Sequence, residues 1–116
     1  MLSTPGKLVV ERLTGTSVLT LRGEHDVTTA PSLGAELEAV SGTNVVVDLA
    51  EVGFIDSSII GAGFRGLRAA RDGEDRDLVV CVPPSFARRL FDQAGLSDAV
   101  LVFDSRDDAV EHFDPD

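Results

Sequence analysis

The sequence predicts an α/β domain: an opening β-hairpin, then alternating helices and strands, with a mixed sheet of four or five strands and about four helices. Three observations carry the prediction. Val45-Val46-Val47 and Leu78–Val82 (LVVCV) are short apolar, β-branched runs, the pattern of strands buried on both faces. Between and around them, Pro31–Val40 and the stretch after Ser57 space their apolar residues helically. Near the start, Thr14-Gly15-Thr16 is a turn signal between two strand-like segments. Crossover helices between strands make the central pairs mostly parallel.

In chain order, Met1–Gly6 is a loose tail and Lys7–Arg12 a first strand carrying Leu8, Val9 and Val10. Val18–Arg22 alternates as a second strand, and Gly23-Glu24-His25-Asp26 breaks it. Thr28 or Thr29 caps a first helix, with Pro31 in its first turn and Leu33, Leu37 and Val40 as its inward stripe. Ser41-Gly42-Thr43 ends that helix. The Val45–Val47 strand stops at Asp48; Ala50–Asp56 is a connection with Gly53 as turn residue and Phe54 and Ile55 as apolar anchors. After the second helix, Arg71–Asp77 is a charged loop. Pro83-Pro84 end the Leu78–Val82 strand, Ser85 caps a helix over Phe86–Gln93, and Ala94-Gly95 stops it. Ala99–Phe103 is the last strand. Ser105 caps a short final helix with Ala109, Val110 and Phe113, before a polar tail at Asp114–Asp116.

At 116 residues and 43% hydrophobic, the chain makes one domain, residues 1–116, with enough apolar material for a core. Ten basic against twenty acidic residues leave a formal charge of −10, which repels nucleic acid and anionic membranes and favours basic protein surfaces. With no spanning-length apolar run and no signal-peptide pattern at the N-terminus, the expectation is a cytoplasmic protein. The single cysteine, Cys81, reads as a buried strand residue and not as a nucleophile.

The chemistry concentrates at Asp56-Ser57-Ser58, where three side-chain oxygens meet the start of the second helix. Advancing about 100° per residue puts Ile59, Ile60, Gly63, Leu67 and Ala70 on the inward face. Ser57, Gly61, Arg65 and Arg68 share the exposed side, with Phe64 on its border. Gly63 is then expected to let helix and sheet approach, and Gly61, one turn from Ser57, to admit another molecule's backbone. A phosphate on Ser57 would sit at a helix N-terminus beside the charge of Asp56. Ser57 with His25 and Asp26 or Asp56 forms a conceivable Ser-His-Asp set, but the Gly-x-Ser-x-Gly elbow is missing. No Walker A loop, dinucleotide fingerprint or Cys/His ligand cluster is present, so no cofactor or metal is expected. Glu24, Asp26 and Asp56 read as a solvated acidic rim.

Three blocks together resemble the STAS domain, and within it the bacterial anti-sigma factor antagonists. LRGEHDVTTAPSL resembles that family's second strand, Gly-Glu-x-Asp loop and first helix start; VVVDLAEVGFIDSSIIGAG resembles its third strand and Asp-Ser-Ser/Thr phosphorylation loop; VVCVPPSFARRLFDQAGL resembles its fourth strand and third helix. The resemblance spans nearly the whole chain. It departs at Ile59, where the family commonly has glycine, and keeps the glycine at Gly61. It implies partner switching by a monomeric, non-enzymatic module. The antagonist binds an anti-sigma factor that is also a serine kinase of the histidine-kinase-like ATPase type, freeing a sigma factor. The kinase phosphorylates it, and a serine phosphatase resets it. By position the acceptor is Ser57, with Ser58 a cap or secondary site, and the partner surface comprises Glu24, His25, Asp26, Asp56, Ser57, Ser58, Gly61, Phe64 and Arg65. A small-ligand or nucleotide-binding STAS module and a Ser-dependent hydrolase are the alternatives.

Overall fold

The computed structural model describes residues 6–40, 42–72 and 76–114. The expected tails at 1–6 and 114–116, the middle of the charged loop and the side chain of Ala70 fall largely outside that set. Strands β1 (Lys7–Leu13) and β2 (Thr16–His25) form the antiparallel hairpin, turning at Gly15, whose φ of 75° suits glycine. Helix α1 (Ala30–Ala39) leads to β3 (Asn44–Ile55), α2 (Ser57–Asp72) and β4 (Leu78–Cys81). Then come α3 (Phe86–Gln93), a single turn α4 (Leu96–Ala99), β5 (Val102–Phe103) and α5 (Arg106–Phe113). The sheet order is β1-β2-β3-β4-β5, and every pair after the hairpin is parallel.

Two strands run further than their sequences suggest. β2 continues through Gly23-Glu24-His25, and β3 through Asp48 to Ile55, where His25 pairs with Ile55. The features that read as breaks are bulges. Register shifts between Thr20 and Arg22 and at Gly23/Glu24 absorb extra residues of β3, and Gly23 takes a φ of 78°. Asp48 does not end its strand. Its carboxylate is buried and accepts the Ala50 N–H at 2.9 Å, supplying a partner where the ladder is irregular. Conversely, the stretch read as a strand from Ala99 is cut to two residues, because residues 96–99 coil into α4 after Gly95 at φ 78°. The loop read from Arg71 begins later, since α2 runs to Asp72.

One face of the sheet packs the larger core, with Leu33 and Leu37 of α1, Ile59 and Leu67 of α2 and Phe91 of α3 on Leu19, Leu21, Val45 and Val47. The other face is covered by α5, whose Ala109 meets Val18, Val46, Val79 and Cys81. Ser85 and Ser105 cap α3 and α5, accepting the N–H of Arg88 and Asp108.

The close-approach glycine of α2 is Gly66, not Gly63. A Cβ on Gly66 would stand 2.7 Å from Leu37 Cδ1 of α1, whereas one on Gly63 would meet nothing within 4 Å. Gly63 instead borders an apolar cavity of about 50 Å³ with Ile60, Phe64, Leu67, Phe91 and Val100. Gly63→Ala should therefore stabilise the domain by roughly 1 kcal/mol, through helix propensity and a methyl added to a void. Gly66→Ala, crowding a buried leucine, should fall about 1–3 kcal/mol below it. Urea unfolding of the two variants measures the difference; equal midpoints would contradict this packing.

Candidate functional site

Parallel pairing of β2 with β3 brings two loops together. Because His25 pairs with Ile55, the next residues, Asp26 and Asp56, stand side by side where the chain leaves the sheet for α1 and α2. Both carboxylates organise their own loop. Asp56 is the N-cap of α2: its Oδ1 accepts the N–H of Ser58 at 2.9 Å and of Ile59 at 3.4 Å, and its carbonyl accepts the N–H of Ile60 at 3.2 Å. Asp26 Oδ1 accepts the Thr28 amide at 2.8 Å and the Thr28 hydroxyl at 2.6 Å. Those bonds, the hydroxyl's first, hold its pKa below the usual carboxylate value, so it stays ionised.

Ser57 is the first residue of α2 and is exposed; Ser58 is half-buried. Of the three side-chain oxygens expected at this helix start, that of Asp56 makes the cap, and Ser58 contributes only its amide to it. Along α2, Arg65 and Arg68 are exposed with Ser57, and Gly61 and Phe64 are half-buried beside them. The inward face centres on Ile59, Ala62 and Leu67. Ile59 is 5% exposed and joins the core, so the departure at this position is accommodated.

His25, expected at the partner surface, is buried. Its ring is 2% exposed, turned into the protein. Nε2 lies 3.2 Å from the Lys7 carbonyl and 3.0 Å from the Arg22 carbonyl, and Nδ1 lies 3.1 Å from Thr29 Oγ1. Two carbonyls can only accept, so Nε2 carries the proton. The cause is β-sheet alternation: Leu19, Leu21, Gly23 and His25 face the core, while Glu24 between them is exposed. Glu24 is thus a strand residue, paired with Phe54, two residues before the Asp26–Asp56 edge. With His25 occupied by Lys7, Arg22 and Thr29, the Ser57-His25 arrangement of a hydrolase is not assembled.

Two residues at this edge went unremarked or were misplaced in the sequence. Phe54, expected as an apolar anchor, is 42% exposed opposite Glu24, and Val27 after Asp26 is 65% exposed. The signal for Phe54 is the outward register of the lengthened β3, hidden if that strand ends at Asp48; Val27 lies in the turn between β2 and α1, where strand alternation says nothing. Away from the edge, Cys81 is buried and its thiol is pushed up to about 12, first by burial and then by Asp48, which leaves it unreactive. Among the described residues no group of three acidic, histidine or cysteine side chains is placed to hold a metal ion, and no helix is long and apolar enough to cross a membrane.

An α/β domain with an opening hairpin, three further strands in parallel pairing and an Asp-capped serine helix at the carboxyl edge of its sheet defines a class. The family model for the STAS domain matches residues 7–109, and the chain belongs to that family. Among solved structures it is similar to an anti-sigma factor antagonist from Mycobacterium paratuberculosis, with 28% identity and a TM-score of 0.86 over 97% of this chain and 98% of that one. The anti-sigma factor antagonist SpoIIAA in its unphosphorylated form aligns at 19% identity and a TM-score of 0.81, over 95% of this chain and 98% of that one. The Bacillus cell fate determinant SpoIIAA in the phosphorylated form aligns at 20% and 0.72, over 91% and 98%. These last two share the fold. No curated protein sequence matches the chain.

Proposed function

We propose that this protein is an anti-sigma factor antagonist that binds an anti-sigma factor through the carboxyl edge of its sheet and is switched off by phosphorylation of Ser57. The observation that carries the reading is the placement of Ser57: exposed, first in α2, held by the Asp56 cap and flanked by the ionised Asp26. Likeness to the Mycobacterium antagonist over nearly the full length of both chains supports it. The partner is a serine kinase of the histidine-kinase-like ATPase type, and a serine phosphatase reverses its action. The antagonist itself acts as a cytoplasmic, monomeric binding module without catalysis. The contact surface comprises Asp26, Asp56, Ser57, Ser58, Gly61, Phe64 and Arg65, with Glu24 at its margin and Phe54 and Val27 as apolar contacts.

The test is reaction with the kinase captured on this chain from its native cell, with ATP and magnesium, followed by peptide mass spectrometry. Phosphate on Ser57 is expected; phosphate confined to Ser58 would overturn the assignment. The acidic edge should act mainly on encounter. Reversing Asp26 or Glu24 to Lys is expected to slow association several-fold in dilute buffer, Asp26 more than Glu24, with the difference shrinking as salt is added. Stopped-flow association with the purified partner measures this, and an unchanged on-rate for Asp26→Lys places the loop outside the interface.

A further inference from the structure

The geometry points to Arg65 as an in-chain clamp for a phosphate on Ser57, an inference that rests on the reading of Ser57 as phosphoacceptor. Helical side chains lean back over the turn before them. Arg65 does so: its Nη1 stands 3.5 Å from the point a Cβ on Gly61 would occupy. The guanidinium therefore lies over Gly61, one turn beyond Ser57, and Cβ positions one turn apart on a helix are only about 5–6 Å from each other. A phosphate extending from the Ser57 hydroxyl reaches across that gap. Glycine at 61 keeps the path open, and a branched side chain there would fill it.

The first turn of α2 leaves such a phosphate in need of this partner. A helix N-terminus ordinarily offers its free amides to an anion, but here Asp56 Oδ1 already accepts those of Ser58 and Ile59. Asp56 adjoins the phosphate and Asp26 follows the end of the neighbouring strand β2, so the local field repels it. Arg65 makes no ion pair among the described residues, and its planar fork matches phosphate oxygens. The clamp gives the modification two effects at once. It adds negative charge to the contact face, and it draws a cation of that face away from the partner.

The test needs neither kinase nor partner. Phosphoserine is installed at position 57 during translation, and the phosphate's second ionisation, ordinarily near 6, is followed by phosphorus NMR. Arg65→Gln should raise that ionisation by about 0.5 unit, because the cation favours the dianion. Arg68→Gln should leave it unchanged, and Gly61→Leu should mimic Arg65→Gln while circular dichroism shows α2 intact. Asp56 and Asp26 are common to all variants and cancel in the comparison. As a second reading, the Arg65 Nε resonance should move on phosphorylation and return after phosphatase treatment. Identical titrations in the parent, Arg65→Gln and Gly61→Leu, with an unmoved Arg65 resonance, overturn the clamp. Because no partner enters, that result leaves the assignment of Ser57 standing. Failure of the kinase to modify Ser57 would instead sink the assignment and leave the measured pairing intact.

Discussion

His25→Ala should lower the unfolding free energy by about 2–4 kcal/mol, a large part of the roughly 5–15 kcal/mol of a domain of this size. The ring is buried at the point where three segments converge. Nε2 donates to the carbonyls of Lys7 in β1 and Arg22 in β2, and Nδ1 engages Thr29 at the entry to α1. Removing it leaves a cavity and leaves buried polar groups without partners, each penalised by about 1–3 kcal/mol. The Thr29 hydroxyl still contacts the Asp26 backbone, at 3.1 Å from its N–H and 3.2 Å from its carbonyl, so the loop does not collapse outright. His25→Gln, which restores a donor in part of the volume, should recover some of the loss. Urea unfolding of the three proteins tests this. A loss under about 1 kcal/mol for His25→Ala would show that the ring does not join the segments. If His25→Ala binds the partner normally once folded, its role is structural, as its burial implies.

The same residue shows what could be read in advance and what could not. The hairpin, the helices over 86–93 and 106–113 with their serine caps, and the inward stripe Leu33, Leu37 and Val40 follow local rules, and the structure has them. β2 and β3 were legible only in their apolar halves. Their second halves are held by pairing with each other across bulges, a long-range interaction that Gly23 and Asp48 disguise as breaks. Once those strands end early, His25 and Phe54 lose their alternation, and each lands on the wrong side. The glycines of α2 failed for a related reason. The helical wheel places Gly63 on the inward face but does not know that α1 crosses at Gly66. Ser57 itself was legible because a helix start is a local event, although the cap turned out to be its acidic neighbour.

Ser57→Ala should keep its affinity for the anti-sigma factor yet no longer be released when ATP and magnesium are added. Because Asp56 caps α2, loss of the Ser57 hydroxyl removes no cap bond and should change stability by less than about 1 kcal/mol. Ser57→Asp should bind weakly, since it sets a permanent charge beside Asp56 on the contact face. Phosphate, at about −1.5 to −2, should act more strongly. Arg65 neutralises part of that charge within the chain, but the pair still presents net negative charge and a more strongly held hydration shell than the hydroxyl of the unmodified serine. Desolvating it against a partner opposes association, and any like charge opposite adds to the penalty. A loss of about 3 kcal/mol corresponds to more than a hundredfold in affinity. That is enough to return the anti-sigma factor to its sigma factor when the two compete at similar concentrations. Titration of the parent, Ser57→Ala, Ser57→Asp and the phosphorylated protein onto the purified partner measures the series, with circular dichroism confirming that each is folded. Equal affinity across all four would remove Ser57 as the switch. Weak binding by Ser57→Asp with tight binding by the phosphorylated protein would show instead that Arg65 masks the phosphate completely.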